Sequence, residues 1–150
     1  MRHHAWPAGS PKCSFILYCN GGANNVMLNL SNHPSSTWAT AQTTAAERIS
    51  GFKVVDIPFP VVGPEWTTQD IYNLAQHYLS EYGDLFTHDP CMHIMGEYTF
   101  TCTMVNVLQR LGVDCYAATT VRNTQMLEDG TKISKFEFVQ FRKYPEMVLK

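Results

Sequence analysis

The sequence lacks the short motifs that identify the common nucleotide-binding and metal-binding sites. It contains neither GxGxxG nor GxxxxGK[ST], so a dinucleotide-binding loop or a P-loop has little support. It has no CxxC pair and no HxH or HxxxH spacing, and its five cysteines are an odd number. A disulfide framework or a zinc site is therefore a poor interpretation. We expect no metal and no cofactor, and cysteines that are small buried side chains in a reducing compartment.

Basic residues and long apolar runs are also scarce. The chain has 11 Lys and Arg against 13 Asp and Glu, for a net charge of −2. A long duplex nucleic acid needs a basic face, so we exclude it as a partner. A small anion held by backbone amides remains possible. The longest apolar run, around Phe15–Cys19, is far shorter than the roughly 20 residues of a membrane span. No signal peptide is recognisable, so we expect a cytoplasmic protein without a membrane partner.

What the chain does contain is enough residues, 150, for one globular domain. Residues 1–25 differ from the rest, because they carry prolines, glycines and no regular hydrophobic period. We expect an irregular extension over residues 1–25 and a folded domain over residues 26–150. The alternative is that Ser14–Cys19 adds an edge strand to that domain.

From residue 26 onward, strand patterns alternate with helix patterns. The pattern predicts an α/β fold, a Rossmann-like three-layer αβα arrangement with a mostly parallel sheet of about five strands. Ser35 or Ser36 is expected to cap a first helix that buries Ala41 and Ile49, and Thr67 or Thr68 to cap a second. The stretch Val113–Phe141 has no room for a helix, so it predicts a C-terminal antiparallel edge hairpin that turns at Asp129 and Gly130.

Open parallel sheets bind ligands at the carboxyl ends of their strands, near the point where the strand order reverses. Polar residues and one glycine follow the first, third and fourth predicted strands. Gly96 permits close approach of a ligand, and the hydroxyls near it lie at a helix start, where free amides favour anions. The candidate ligand-binding residues are Asn29, Ser31, Asn32, Ser35, Ser36, Gly96, Thr99, Thr101, Thr119, Thr120, Arg122 and, from the fifth strand, Lys132.

Three further residues are candidates for acid–base or electrostatic catalysis. They are His33, Glu97 and Lys135. Each also has a plain structural interpretation: His33 as a solvated loop residue, Glu97 as part of a helix cap, and Lys135 as protection of an edge strand. His93 lies on a buried strand and is expected to be a hydrogen-bonded core histidine.

The fifth strand alternates, and its alternation predicts which side chains share a face. We expect Phe136 and Phe138 on one side of the hairpin with Lys132, and Phe141 on the opposite side with Lys135.

Four stretches together resemble a small family of CRISPR-associated accessory proteins: Met27–Ser36, Asp56–Pro60, His93–Thr101 and Thr131–Arg142. The resemblance covers the chain apart from its first 25 residues. The wider class is the CRISPR-associated Rossmann-fold (CARF) domain, which binds cyclic oligoadenylate second messengers as a homodimer. In that class a turn with Gly and Thr leads into a helix, and Gly96–Thr101 is similar to it. Glu97 departs from the more usual Gly-Thr-Lys pattern.

The resemblance implies a homodimeric module of type III CRISPR antiviral signalling that sequesters cyclic oligoadenylate or linearises it as a ring nuclease. Linearisation needs no metal, because each ribose 2′-hydroxyl is a built-in nucleophile that the protein has only to align. Two alternatives come from the residues themselves. One is a flavodoxin-like enzyme that uses His33 and Glu97 on a nucleotide or another small anion. The other is a non-enzymatic interaction module that pairs through the hairpin Thr119–Phe141.

Overall fold

The structure, a computed structural model, describes residues 26–51, 53–87 and 90–147. The predicted extension over residues 1–25 and the alternative strand Ser14–Cys19 lie outside the described residues. The α/β class and the five-stranded, mostly parallel sheet are confirmed. The elements are β1 (Met27–Ser31), α1 (Thr40–Ser50), β2 (Val54–Asp56), α2 (Thr68–Tyr82), β3 (Cys91–Met95), α3 (Tyr98–Arg110), β4 (Asp114–Met126) and β5 (Lys132–Lys143), with 3-10 turns over Ser35–Thr37 and Gly83–Thr87.

The strand order is β2-β1-β3-β4-β5. The first four strands in that order pair in parallel, and β5 pairs antiparallel with β4, as the hairpin pattern predicted. Gly130 adopts φ 82° in the turn between them, a conformation that favours glycine. Since β1 leads outward to β2 and β3 leads outward to β4, the strand order reverses between β1 and β3. Ligands of such sheets bind beside this position.

Helices cover both faces of the sheet and form two cores. Leu28, Leu30 and Ile94 point to the face covered by α2 and α3, where the larger core lies. Met27 points to the opposite face and packs with Ala46 of α1. Successive side chains of a strand alternate between faces, so β1 is buried along its whole length.

The start of α1 differs from the prediction. Ser35 and Ser36 do not cap α1; they lie in a 3-10 turn, and α1 begins at Thr40 without a side-chain cap. The later start changes which residues face the sheet. Ala46 and Ser50 are buried, whereas the predicted inward residues Ala41 and Ile49 are exposed. The predicted helix end is correct, since Gly51 terminates α1 with φ 75°.

The C-terminal hairpin is longer than predicted and extends beyond the sheet. Only Asp114–Tyr116 of β4 pairs with β3, whereas the β4–β5 ladder continues to the pair Met126 and Lys132. We call the segment Thr120–Phe138 the arm. At about 3.3 Å per residue, its β4 half is roughly 20 Å long. Because β4 is parallel to β1 and β3, the arm projects past the same carboxyl edge that carries the candidate site.

A bulge in β5 corrects the predicted faces of the hairpin. Thr119 pairs with Gln140 and Thr120 pairs with Phe138, so Val139 is an extra residue. The extra residue reverses the alternation beyond it. Phe138 and Phe141, predicted on opposite sides, therefore share a face, and their ring centroids lie 5.0 Å apart in the core under α1.

Candidate functional site

A buried amide organises the carboxyl end of β1. Asn29 is 1% exposed, and its Nδ2 donates to Asp56 Oδ1 at 2.7 Å and to the His33 carbonyl at 2.9 Å. Its Oδ1 accepts from the Ser31 hydroxyl at 2.8 Å. Because both ends of the amide have partners, its orientation is fixed. Asn29 thus ties the ends of β1 and β2 to the loop that follows β1.

His93 completes this network from β3. Its Nδ1 lies 2.8 Å from Asn29 Oδ1, and since Oδ1 accepts, Nδ1 carries the proton. Its Nε2 is buried and has no hydrogen-bond partner among the described residues, so the expectation of a hydrogen-bonded core histidine holds for one nitrogen only. Burial, and then the nearby His33, lower the pKa of His93 to about 4. Its ring packs edge-on against Trp38 and Phe141, which identifies it as a neutral structural residue.

Asp56, at the end of β2, holds the loop that leads to α1. Its carboxylate accepts from the Ser35 amide at 3.0 Å and from the Ser35 hydroxyl at 2.8 Å, in addition to the Asn29 amide. Ser35 is therefore used to position Asp56 and is not free to hold a phosphate. Ser36 lies in the same 3-10 turn and is exposed.

A pocket of about 430 Å³ opens at these strand ends, a volume within the range of small-molecule sites, about 300–1,000 Å³. Its lining combines polar groups with a proline-rich and aromatic wall: Asn29, Ser31, Asn32, Pro34, Asp56, Ile57, Pro58 and Phe59. Three of these residues, Asn29, Ser31 and Asn32, belong to the predicted set. The residues of the β2 end were missed. Their signal was a carboxylate placed directly after a strand, the same criterion that selected the other strand ends.

Gly96 permits close approach, as predicted, but a side chain of the protein makes that approach and not a ligand. A Cβ at Gly96 would overlap the ring of Phe59, so the close approach that this glycine permits is made by Phe59. The Phe59 ring also packs edge-on against Phe100, 5.4 Å between centroids. Next to it, the Tyr78 hydroxyl donates to the Pro58 carbonyl at 2.7 Å. These contacts hold the pocket wall against the end of β3.

Glu97 occupies the start of α3. Its carboxylate accepts from the Phe100 amide at 2.8 Å, the Thr99 amide at 3.1 Å and the Thr99 hydroxyl at 2.8 Å. Desolvation raises the pKa of Glu97, but these hydrogen bonds outweigh it and hold the pKa below its usual value. The amides expected to favour an anion are thus neutralised by the chain itself. Thr101 faces the core, and its Oγ1 has no partner among the described residues.

The remaining predicted residues lie on the arm or beside its base. The Thr119 hydroxyl donates to the Gln140 carbonyl, and Arg122 donates to Ser134 while its guanidinium lies 5.7 Å from the centroid of the Phe136 ring. Thr120, Lys132 and Lys135 are exposed or partly exposed, and Lys135 lies 3.6 Å from Glu137. None of these residues lines the pocket.

The three predicted catalytic residues occupy separate places. His33 is in the exposed loop after β1, Glu97 caps α3 and Lys135 is on the arm. No hydrogen bond or ion pair among the described residues joins them. The geometry therefore resembles a binding pocket more than a catalytic arrangement.

Two of the three cysteines in the described segments are buried, as predicted. Cys91 and Cys115 are free and buried, and burial raises the pKa of their thiols to about 11 and about 12. Cys102 of α3 is free and exposed, so the prediction of buried cysteines is wrong for this residue. Within residues 26–51, 53–87 and 90–147, no cluster of His, Cys, Asp or Glu side chains is suited to a metal ion. The helices of these segments are also too short or too polar to cross a membrane.

One family model matches this chain, over residues 25–142, and its description is "Uncharacterized protein MJ1673 family". The chain belongs to that family. The match includes every strand of the sheet, apart from the last residue of β5, and therefore all of the residues that line the pocket. No curated protein and no solved structure matches the chain.

Proposed function

We propose that this protein binds a cyclic oligoadenylate second messenger and holds one adenosine of the ring in the pocket at the ends of β1 and β2. The observation that carries the proposal is the composition of that pocket. Asp56 lines the pocket with a carboxylate, Asn32 with an amide, and Phe59 with Pro58 forms an apolar wall, while the buried Asn29 holds Asp56 in place. A carboxylate accepts hydrogen bonds from ribose hydroxyls or from an exocyclic amine, and an aromatic side chain packs against a base.

The same composition disfavours a bare phosphate at this position. Asp56 would repel an anion, and the amides of Ser35, Thr99 and Phe100 already donate to carboxylates of the chain. The neutral part of a nucleotide is therefore the part that fits the pocket. This assignment replaces the expectation that Gly96, Thr99 and Thr101 hold the phosphates.

Two nearby features supply contacts for phosphates outside the pocket. The first turn of α1 has no side-chain cap and no acidic residue, so its amides are available to an anion. The arm, which projects past the same edge, carries Arg122, Lys132 and Lys135. A ring larger than one nucleoside would extend from the pocket towards such groups.

We favour sequestration over linearisation, because His33, Glu97 and Lys135 are not gathered around the pocket. The proposal keeps the homodimer that the resemblance implies and a role in type III CRISPR antiviral signalling. It also places the protein in the cytoplasm. Free Cys91, Cys102 and Cys115 suit that reducing compartment.

Isothermal titration calorimetry of the full chain with cyclic tetra-adenylate and cyclic hexa-adenylate tests the proposal. We expect binding of one ring at micromolar concentration or tighter. Asp56→Ala should weaken it at least about ten-fold, because the variant loses a charged hydrogen-bond acceptor worth about 1.5–3 kcal/mol. Glu97→Gln is the matched control, since it changes a carboxylate outside the pocket and should leave affinity within about two-fold. If neither ring binds at about 100 µM, roughly the weakest affinity expected of a specific site, the proposal is refuted.

Mass spectrometry of the recovered ligand separates the remaining possibilities. Intact ring supports sequestration, and linear product supports a ring nuclease. The pocket volume also suits a single nucleotide, which is the observation that favours the alternative of a small nucleotide-processing enzyme. Turnover of adenosine monophosphate without binding of either ring would decide for that alternative.

A further inference from the structure

The outer edge of β5 is an unpaired strand edge with exposed apolar side chains. In the part of the chain that the structure describes, β5 has a neighbour on one side only, β4. Phe136 is 63% exposed, and Ile133 and Val139 are 49% and 58% exposed. An exposed strand of this kind is a template for pairing with another strand. The inference from this surface specifies the contact of the homodimer that the proposed function keeps, and it does not depend on the ligand.

The middle of the strand has little of the usual protection against such pairing. Natural edges are blunted by prolines, by inward charges or by lysines. The basic residues Lys132, Arg142 and Lys143 lie near the ends of β5, whereas its middle has no proline, and the charge of Lys135 is offset by Glu137, 3.6 Å away. The bulge at Val139 lies outside the segment Ser134–Phe138, which is regular along its whole length.

We infer that two copies of this chain pair antiparallel through the outer edges of β5, with Phe136 opposite the partner's Phe136. In a two-fold symmetric antiparallel pair, one residue lies opposite its own copy. Centring the pair on Phe136 places Lys135 opposite the partner's Glu137 and Glu137 opposite the partner's Lys135. The two Phe136 rings meet on one face, and Ser134 lies opposite the partner's Phe138 at each end of the regular segment.

The charge pattern selects this centre among its neighbours. Centring on Lys135 places two lysines opposite each other, and centring on Glu137 places two glutamates opposite each other. Centring on Ser134 or Phe138 forms no pair of opposite charges. Directly opposed charges of opposite sign stabilise strand pairing, and like charges oppose it. Of these pairings, the one centred on Phe136 forms both two ion pairs and an aromatic pair. It also makes one continuous sheet across the dimer.

Analytical ultracentrifugation of the full chain tests the pairing. A short edge contact predicts a weak dimer, so we expect the mass to rise from monomer to dimer between roughly 1 and 200 µM. Lys135→Glu and Glu137→Lys each convert two attractive pairs into two repulsive ones, and each should weaken the dimer at least about ten-fold. Lys132→Glu is the matched control, because it makes the same change in charge outside the regular segment Ser134–Phe138.

Mixing the two single variants provides the decisive measurement. A heterodimer of Lys135→Glu with Glu137→Lys regains both attractive pairs between chains, so the equimolar mixture should dimerise about as tightly as the natural sequence. The ion pair within each chain stays broken in the mixture, which separates pairing between chains from an effect on the hairpin itself. A wild-type chain that remains monomeric, single variants that dimerise normally, or a mixture that stays monomeric would each overturn the inference.

A cross-linking measurement tests the register independently. Opposed Cβ atoms in an antiparallel pair lie about 4.5–5.5 Å apart, so Phe136→Cys should form a disulfide-linked dimer under mild oxidation. Ser134→Cys lies on the same face but roughly 13 Å from its own copy, so it should give no more cross-linked dimer than the natural sequence. Equal cross-linking by both variants would contradict the centre at Phe136.

Discussion

The buried imidazole of His93 predicts a specific loss of stability in mild acid. Its Nδ1 proton is donated to Asn29, and its Nε2 is buried between aromatic rings with no acceptor for a second proton among the described residues. Its pKa falls from 6.5 to about 4 in the folded protein, chiefly through desolvation. The unfolded chain keeps the ordinary pKa near 6.5.

The sign follows from the proton balance. Above pH 6.5 neither state binds the proton, and the folded protein has its full stability. Between pH 6.5 and about 4 the unfolded state binds the proton and the folded state does not, so stability falls as the pH falls. A pKa lowered from 6.5 to about 4, at about 1.4 kcal/mol for each pH unit between these values, gives a total loss of roughly 3.5 kcal/mol, most of it reached by about pH 4.

Urea denaturation at half-unit steps from pH 4 to pH 8 measures this loss, with His93→Phe as the comparison. Phe keeps the ring contacts with Trp38 and Phe141, and Asn29 Oδ1 still accepts from Ser31. The other titrating groups are common to both proteins, so the difference in unfolding free energy isolates His93. We expect that difference to change by roughly 2 to 3 kcal/mol between pH 7 and pH 4.5. Parallel curves would refute the argument.

Three other substitutions test the construction of the site. Gly96→Ala should destabilise the fold by roughly 1–3 kcal/mol through overlap with Phe59, whereas Gly83→Ala, which meets no atom within 4 Å, should be near neutral in the same urea melts. Tyr78→Phe should cost about 1 kcal/mol by leaving the Pro58 carbonyl unpaired, and should weaken ligand binding at the wall that Pro58 forms; unchanged binding would show that the wall is held otherwise. Glu97→Ala should cost about 1 kcal/mol at pH 7 by removing the α3 cap. Its depressed pKa makes that stabilisation present above the usual carboxyl pKa and lost as the pH falls through the lower pKa of the folded protein, so the difference between wild type and variant should shrink in acid; a constant difference would contradict this role.

Elements with strong local signals were predictable from the sequence. Strand β3 is buried and contains His93, as predicted, and Thr67 caps α2 in a capping box with Asp70. Such signals lie within a few residues of one another, so neighbouring elements do not alter them. The predicted start of α1 was wrong, because Ser35 donates its amide and hydroxyl to Asp56, which is 21 residues away in the chain.

The sequence predicted only part of the candidate site, because local signals do not show contacts between distant segments. The rule for strand ends selected Asn29, Ser31 and Asn32, which line the pocket, since these lie together at the end of one strand. It did not show that Phe59 fills the space above Gly96 or that Glu97 occupies the amides of α3. Those outcomes depend on which side chain occupies a given space in the folded protein, and packing between distant segments decides that.

The sequence by itself determined the α/β class, the parallel sheet with its antiparallel hairpin, and the edge at which a ligand site would form. These follow from hydrophobic period and from the order of strands and helices, which are local properties of the chain. The tertiary structure decided which polar groups remain free at that edge, and where the bulge at Val139 places Phe138 and Phe141. In the 3-10 turn before α1 and at the start of α3, amides that the sequence offers to an anion donate instead to the protein's own carboxylates, Asp56 and Glu97. What remains open at the strand ends is the pocket of about 430 Å³ that we propose holds an adenosine.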